Sequence, residues 1–167
     1  MTIRNAAVAD FSVIRQIAYD TWPISYGSII SQPQIEYMLD LIYNIESLKN
    51  QANNFNHQFI LALNNFNIPV AFASFSVNEK NTTQYRLHKL YVLPDYHRKG
   101  IGKIMLNHII SESSMNNIDS IQLNVNRYNN ALQFYLRNNF KIIREEDIDI
   151  GNGFFMNDYV MEKTVDR

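Results

Sequence analysis

Cysteine is absent from this chain of 167 residues. Disulfide staples, thiolate metal sites and a cysteine nucleophile are therefore excluded. No apolar run approaches the roughly 18 to 20 residues of a membrane span, and Met1-Thr2-Ile3-Arg4-Asn5 does not read as a signal peptide, so a soluble cytoplasmic protein with no membrane partner is expected. An excess of charge of one sign is also lacking. Fifteen basic and sixteen acidic residues leave a net charge of −1, without the basic footprint of a nucleic-acid binder. Any charge-led recognition is local. The histidines and carboxylates show no metal-ligand spacing, and no metal is expected. Repeats, linkers and low-complexity tracts are absent too, the many asparagines being a bias without a pattern. With 46% hydrophobic and 19% charged residues, the composition is globular rather than disordered. Residues 1–167 read as one domain, long enough to bury about 70% of the unfolded chain's surface.

Glycine is scarce, five residues in all, yet Gly100 and Gly102 fall in one turn. Before it, Tyr85, Leu87, Leu90, Tyr91, Val92 and Leu93 have the composition of a strand, which Pro94 ends. After it, Ile104, Met105, Leu106, Ile109 and Ile110 recur at helical spacing. Such a turn gathers the unpartnered N–H groups of a first helical turn at the positive end of the helix dipole, where phosphate oxygens bind well. Arg98, Lys99 and Lys103 add positive charge there. The stretch reads as a site for a pyrophosphate or another polyanion. It is neither a P-loop, which requires a Gly-Lys-Ser/Thr ending, nor a three-glycine dinucleotide fingerprint.

The remaining chain suggests an α+β order. Thr2 to Ala7 reads as a strand, and Asp10 as the cap of a helix bearing Val13, Ile14, Ile17 and Ala18, closed by Trp22-Pro23. A loop over Tyr26 to Ile30 precedes Ser31-x-x-Gln34, a capping pattern for a second helix with Ile35, Met38, Leu39 and Ile42. Ser47 is expected to cap a third short turn, Leu48 to Asn53. His57 to Leu63 and Val70 to Val77 read as a β-hairpin around Asn64 to Asn67. Ile121 to Val125 gives another strand. Asn129 or Asn130 then caps a helix with Ala131, Leu132, Phe134 and Tyr135. Phe140 to Ile143 and Phe154 to Met161 form a last strand pair around Gly151-Asn152-Gly153.

Two motifs carry a resemblance. His97-Arg98-Lys99-Gly100-Ile101-Gly102 resembles the Gln/Arg-x-x-Gly-x-Gly/Ala loop of the GNAT superfamily of acyl-CoA N-acyltransferases, with histidine at the Gln/Arg position. Asn129-x-Ala131-x-x-Phe134-Tyr135-x-x-x-Asn139-Phe140 resembles the superfamily's second signature, with Asn139 in place of glycine and an asparagine-to-tyrosine spacing one residue short. The resemblance implies a mixed, mostly antiparallel seven-stranded sheet with four to five flanking helices and a splayed central strand pair. It also implies acetyl-CoA as co-substrate, held by His97, Arg98, Lys99, Gly100, Ile101, Gly102 and Lys103, with Asn129 on the pantetheine arm and Arg137 available to a phosphate. A backbone N–H of Leu90, Tyr91 or Val92 would polarise the thioester carbonyl. Tyr135 would protonate the departing thiolate, although periodicity alone also admits it as a core aromatic. Homodimers through the C-terminal strands occur in the family.

A thioester is already activated, so the protein must hold the amine, polarise the carbonyl and remove a proton from an alkylammonium of pKa about 10. His88, Glu79, Glu36 and Asp20 stand as alternatives for the base. On the acceptor side, Trp22-Pro23-Ile24-Ser25-Tyr26-Gly27, the segment Ser31 to Leu48 and the ending Ile150 to Lys163 resemble a subgroup that includes bacterial polyamine N-acetyltransferases. Tyr26, Tyr37 and Tyr43 can wall a groove for a small-molecule amine, and Glu36, Asp40, Asp147, Asp149 and Asp158 can attract a polycation. A solvated acidic face beside core aromatics accounts for them equally. The expected activity is N-acetylation of a primary amine, with a polyamine such as spermidine or spermine as the expected acceptor; an aminoglycoside, an amino acid or a protein N-terminus are the alternative acceptors, and a non-catalytic acyl-CoA-binding sensor is the rival from another class.

Overall fold

The computed structural model describes residues 1–165. Seven strands form one mixed, mostly antiparallel sheet in the order β1-β2-β3-β4-β5-β7-β6: β1 (Thr2–Asn5), β2 (Gln58–Leu63), β3 (Pro69–Asn78), β4 (Asn81–Val92), β5 (Ser120–Asn126), β6 (Lys141–Gly151) and β7 (Phe154–Thr164). Five helices accompany it: α1 (Phe11–Tyr26), α2 (Gln32–Tyr43), α3 (Ile45–Asn54), α4 (Ile101–Met115) and α5 (Ala131–Arg137). The α+β architecture agrees with expectation. The chain's internal contacts fall into two units, residues 1–76 with 88–109, and residues 77–87 with 110 onward.

In the first unit, Ile14, Ile17, Ala18 and Trp22 lie at three- and four-residue spacing on α1 and are buried, as are Ile35 and Leu39 of α2 and Leu48 of α3. Each large apolar side chain so buried contributes roughly 1.5–3 kcal/mol. The adjoining strands are apolar on both faces: Phe59 to Leu63 and Val70 to Ala73 are all buried. Three expected boundaries shift. Pro23 does not close α1, which runs on to Tyr26 and ends with Gly27 N–H on the Pro23 carbonyl at 3.0 Å. Proline removes its own N–H and crowds the carbonyl four residues back, and the packing of Trp22 against Tyr26, ring centroids 4.6 Å apart, works against that cost and favours continuing the helix. Asp10 does not cap α1 through its side chain; its carboxylate pairs with Arg4 and accepts the Ala7 N–H at 2.7 Å, fixing the preceding turn. Asn44, not Ser47, caps α3, its Oδ1 accepting the Ser47 N–H at 2.8 Å. Ser31 caps α2 as expected, through the Gln34 N–H.

In the second unit, β4 and β5 pair in parallel, Gln84–Leu87 against Ser120–Leu123, which fits the central splayed pair. β5 pairs antiparallel with β7, and β7 with β6. Ile121, Leu123, Val125, Phe140, Val160 and Met161 are buried. The β6–β7 hairpin turns on Asn152-Gly153, both at positive φ, as a two-residue turn matched to strand twist requires. β6 extends well past the expected Ile143, because its charged residues Arg144, Glu145, Glu146, Asp147 and Asp149 suit an edge strand exposed to water. Among the described residues no helix is long and apolar enough to cross a membrane.

Candidate functional site

The polyanion loop lies in the first unit. Its shape comes from alternating backbone signs: Arg98 has φ +60° and Gly100 φ +79°. A β-carbon on Gly100 would meet no atom within 4 Å, so the glycine is required for its left-handed conformation and not for space. Ile104 N–H closes the first turn of α4 on the Gly100 carbonyl at 3.0 Å. The N–H groups of Ile101, Gly102 and Lys103 precede it and have no carbonyl of their own helix to bond. Arg98, Lys99 and Lys103 are exposed. Lys99 Nζ lies 4.9 Å from the centroid of the Tyr96 ring.

The loop is braced to its sheet. Leu93 N–H donates to the Val70 carbonyl at 2.9 Å, and Asn64 Nδ2 donates to Tyr96 Oη at 3.0 Å. His97 turns back, its Nε2 lying 2.7 Å from the Val92 carbonyl oxygen. That nitrogen therefore donates to the strand, and the histidine clamps the loop entrance. Of the three residues expected to polarise a carbonyl, Leu90, Tyr91 and Val92, the structure adds a side-chain role for Tyr91. Its hydroxyl is 3.2 Å from that of Tyr26, and its ring packs at 6.1 Å from Trp22 and 5.7 Å from Phe72.

Tyr26 and Tyr91 are thus brought together, but the other expected acceptor residues differ in character. Tyr43 is 1% exposed and touches Trp22 and Phe72 edge-on, which makes it core and removes it from any groove wall. Burial pushes its phenol far above the ordinary range. Tyr37 is half-buried. Glu36 is exposed on α2 and accepts from Gln32 at 2.9 Å.

Among the alternatives for a base, Asp20 is exposed and bonded to Gln16, and Glu79 is exposed. His88 is placed more firmly. Its Nε2 lies 2.8 Å from Ser76 Oγ, and its ring stacks on His57 with centroids 3.8 Å apart at 11°. Burial, with Lys89 nearby, holds His57 at a pKa of about 4, so this ring is neutral at pH 7. Lys89 itself was not singled out by the sequence. It is 8% exposed, donates to Gln51 Oε1 at 2.6 Å, and lies over the rings of Tyr43 and Phe59. Burial lowers its ammonium to about 7.

Asn129, Tyr135 and Arg137 belong to the second unit. Asn129 Oδ1 accepts the Ala131 N–H at 2.9 Å, so Asn129 rather than Asn130 caps α5 through its side chain. Tyr135 is 8% exposed, with ring centroids 5.1 Å from Phe134 and 5.5 Å from Phe140. Asn139 takes φ +66°, the left-handed cap that glycine or asparagine supplies. Phe140 N–H then returns to the Tyr135 carbonyl at 3.1 Å, fixing the tyrosine's backbone. Arg137 is exposed in the last turn of α5.

Comparison with known proteins gives consistent results. Residues 55–142 match the model of the acetyltransferase (GNAT) domain family. A spermidine N(1)-acetyltransferase of Thermoplasma acidophilum is 27% identical over 166 residues, covering 96% of this chain and 95% of that one. The crystal structure of the PaiA N-acetyltransferase of Thermoplasma acidophilum in complex with coenzyme A superposes with a TM-score of 0.82 at 27% identity, covering 98% of each chain. The ribosomal-protein-S18-alanine N-acetyltransferase of Escherichia coli shares the fold, with a TM-score of 0.73 at 18% identity over 99% of this chain and 94% of that one.

Proposed function

The chain belongs to the GNAT acetyltransferase family, and from that premise we propose that it moves the acetyl group of acetyl-CoA directly to a primary amine, with a small polyamine such as spermidine as acceptor. The observation that carries the co-substrate is the loop Arg98 to Gly100, whose two left-handed residues open α4 with its first N–H groups clear of the helix. The polyamine class is supported by the 27% identical spermidine N(1)-acetyltransferase. Residues 1–167 act as one catalytic domain, a reading supported by a family match that runs through segments of both units.

The residue roles follow the chemistry. Backbone amides of Ile101, Gly102 and Lys103 take the pyrophosphate oxygens, with Arg98, Lys99 and Lys103 neutralising its charge. A backbone N–H among Leu90, Tyr91 and Val92 polarises the thioester carbonyl. The acceptor ammonium first loses a proton to a base or to water. Its nitrogen then bonds to the carbonyl carbon and sheds a second proton to water, the carbon–sulfur bond breaks, and the thiolate takes the Tyr135 phenolic proton, which water restores to the phenolate. Asn129 contacts the pantetheine arm and Arg137 a phosphate, while Tyr26, Tyr37 and Glu36 contribute to the acceptor side.

Thiol release from acetyl-CoA against spermidine, spermine, aminoglycosides, amino acids and short peptides tests the reading. Saturable turnover with polyamines alone is expected; turnover with another amine class discards the acceptor and keeps the chemistry. Tyr135→Phe is expected to lower kcat about 10²- to 10⁴-fold with little change in coenzyme A affinity. Unchanged turnover removes the acid role from Tyr135.

A further inference from the structure

The face of the β5–β7–β6 sheet formed by Gln122, Asn124 and Asn126 is polar, and the strand register sets Glu162, Val160 and Asp158 opposite these three residues. Glu146 of β6 lies opposite Asp158, and Arg144 opposite Val160. From β4, Arg86 donates to Gln122 Oε1 at 3.2 Å and to Asn124 Oδ1 at 2.7 Å, spending its guanidinium on amide oxygens. Glu162 Oε2 receives two amides, from Gln84 at 2.9 Å and Gln122 at 3.4 Å. Glu146 receives Arg144 at 2.8 Å on one oxygen and Asn124 Nδ2 at 3.1 Å on the other.

Asp158 is treated differently. It is 6% exposed. Its Oδ2 takes a 3.3 Å bond from the same Asn124 nitrogen that serves Glu146, and its Oδ1 is buried with no hydrogen-bond donor. Native proteins rarely leave a buried carboxylate oxygen so, because a charged group without its donors costs more than a neutral one. Adding a proton removes the charge but does not complete the hydrogen bonding: an unpaired acceptor becomes an unpaired donor. What completes the site is a donor from outside this network, and a cationic donor also balances the charge, since Arg144 is paired to Glu146, and Arg127 to Glu145 and Asp147. Burial and the neighbouring Glu146 both raise the Asp158 carboxyl above its ordinary range, against Asn124, Arg127 and Arg86, which lower it. A carboxylate held at such a disadvantage gains most from a cation.

We propose that Asp158, with Oδ1 as the free acceptor and Asn124 donating to its other oxygen, is the subsite for an ammonium group of the amine acceptor. The proposal rests on the reading of the chain as an amine acetyltransferase and assigns it a specificity residue on β7.

The test is the Asp158→Asn variant, which keeps the shape and removes the charge. Spermidine affinity by calorimetry is expected to weaken at least tenfold and the spermidine KM to rise in step. The acetyl-CoA KM is expected to be unchanged, kcat within about twofold, and the melting temperature not lowered. Equal spermidine affinity in the two proteins overturns the subsite and leaves Oδ1 to an ordered water; parallel loss of acetyl-CoA affinity and melting temperature overturns it in favour of a structural role. If wild type acetylates a different amine class, a tenfold KM effect of Asp158→Asn on that amine supports the subsite while discarding the polyamine acceptor. Wild type that turns over spermidine with Asp158→Asn indifferent keeps the activity and discards the subsite. Failure of the wild-type protein to bind any amine of the panel overturns both.

Discussion

Lys89 in the first unit and Asp158 in the second are both buried charged side chains that join no ion pair among the described residues, yet they are accommodated in opposite ways. Lys89 is provided for: Gln51 accepts its hydrogen bond at 2.6 Å, and the faces of Tyr43 and Phe59 lie under the ammonium at 5.9 and 5.7 Å. Burial alone brings it down to about 7, so near neutral pH the folded group is divided between its charged and neutral forms. Asp158 has half of one shared hydrogen bond on one oxygen and nothing on the other. The contrast teaches that burial by itself does not mark a functional charge. A buried charge given an acceptor and ring faces is held as structure, whereas a buried carboxylate oxygen left without a donor calls for a partner.

The sharpest way to break the comparison is to make Lys89 resemble Asp158. Gln51→Leu removes the Lys89 acceptor together with bonds from Gln51 Nε2 to the Ile42 carbonyl at 2.8 Å and Ser47 Oγ at 3.1 Å. A loss of about 3 kcal/mol is expected, read as a fall in melting temperature of roughly 6–12 °C for a chain of this size. Lys89→Met is expected to stabilise by about 1–2 kcal/mol at neutral pH, since an apolar side chain of similar volume replaces a buried charge. The pH dependence has a definite sign. The folded-state value, about 7, lies below the ordinary 10.5, so the wild-type penalty is full below pH 7 and vanishes as pH rises to 10.5. The gain from Lys89→Met should therefore shrink over that window. In the Lys89→Met background Gln51→Leu should cost visibly less than in wild type; equal costs would show that Gln51 and Lys89 are uncoupled.

Asp158→Asn comes next in size. Removing a half-satisfied buried carboxylate is expected to raise stability by about 1 kcal/mol in the absence of amine, measured by thermal unfolding. Here the folded value lies above the unfolded one, so the ionised form is the disfavoured form on folding. Wild type bears the full penalty above the folded value and loses it as pH falls through the unfolded value. The advantage of the variant should thus be present at pH 7 and gone in acid. A variant less stable than wild type at pH 7 would return Asp158 to the structural class and erase the contrast.

How much of this was readable beforehand differs between the two regions. The strand–turn–helix around Gly100 was legible because backbone requirements, a proline stop, a left-handed glycine and a helical period, are written locally. The helix that carries Tyr135 and the left-handed Asn139 after it were legible for the same reason. Pro23 misled because the aromatic packing of Trp22 and Tyr26 overrides a local breaker. Lys89 was invisible: strict alternation puts it and His88 on opposite faces, whereas both meet aromatic rings at the start of β2, His57 and Phe59. Asp158 was visible only as one of five scattered acids. Its distinction depends on Asn124 being shared across the β5–β7–β6 register, which no single stretch of sequence records.

The smallest effect completes the scale. Arg144→Gln breaks the ion pair with Glu146 on the same polar face, but the two side chains are 47% and 32% exposed. Water already solvates both charges, and pairs of this kind contribute about 0.2–1 kcal/mol, less in salt. The expected loss is at or below about 0.5 kcal/mol in 0.15 M salt. Because Glu146 also accepts from Asn124, releasing it lets that amide lean toward either carboxylate without exposing a buried oxygen. Spermidine KM should therefore stay within about twofold of wild type, while Asp158→Asn moves it tenfold. Equal KM effects from the exposed pair and the buried carboxylate would mean that the face attracts amines by its overall charge, and the incomplete shell of Asp158 would lose its special standing.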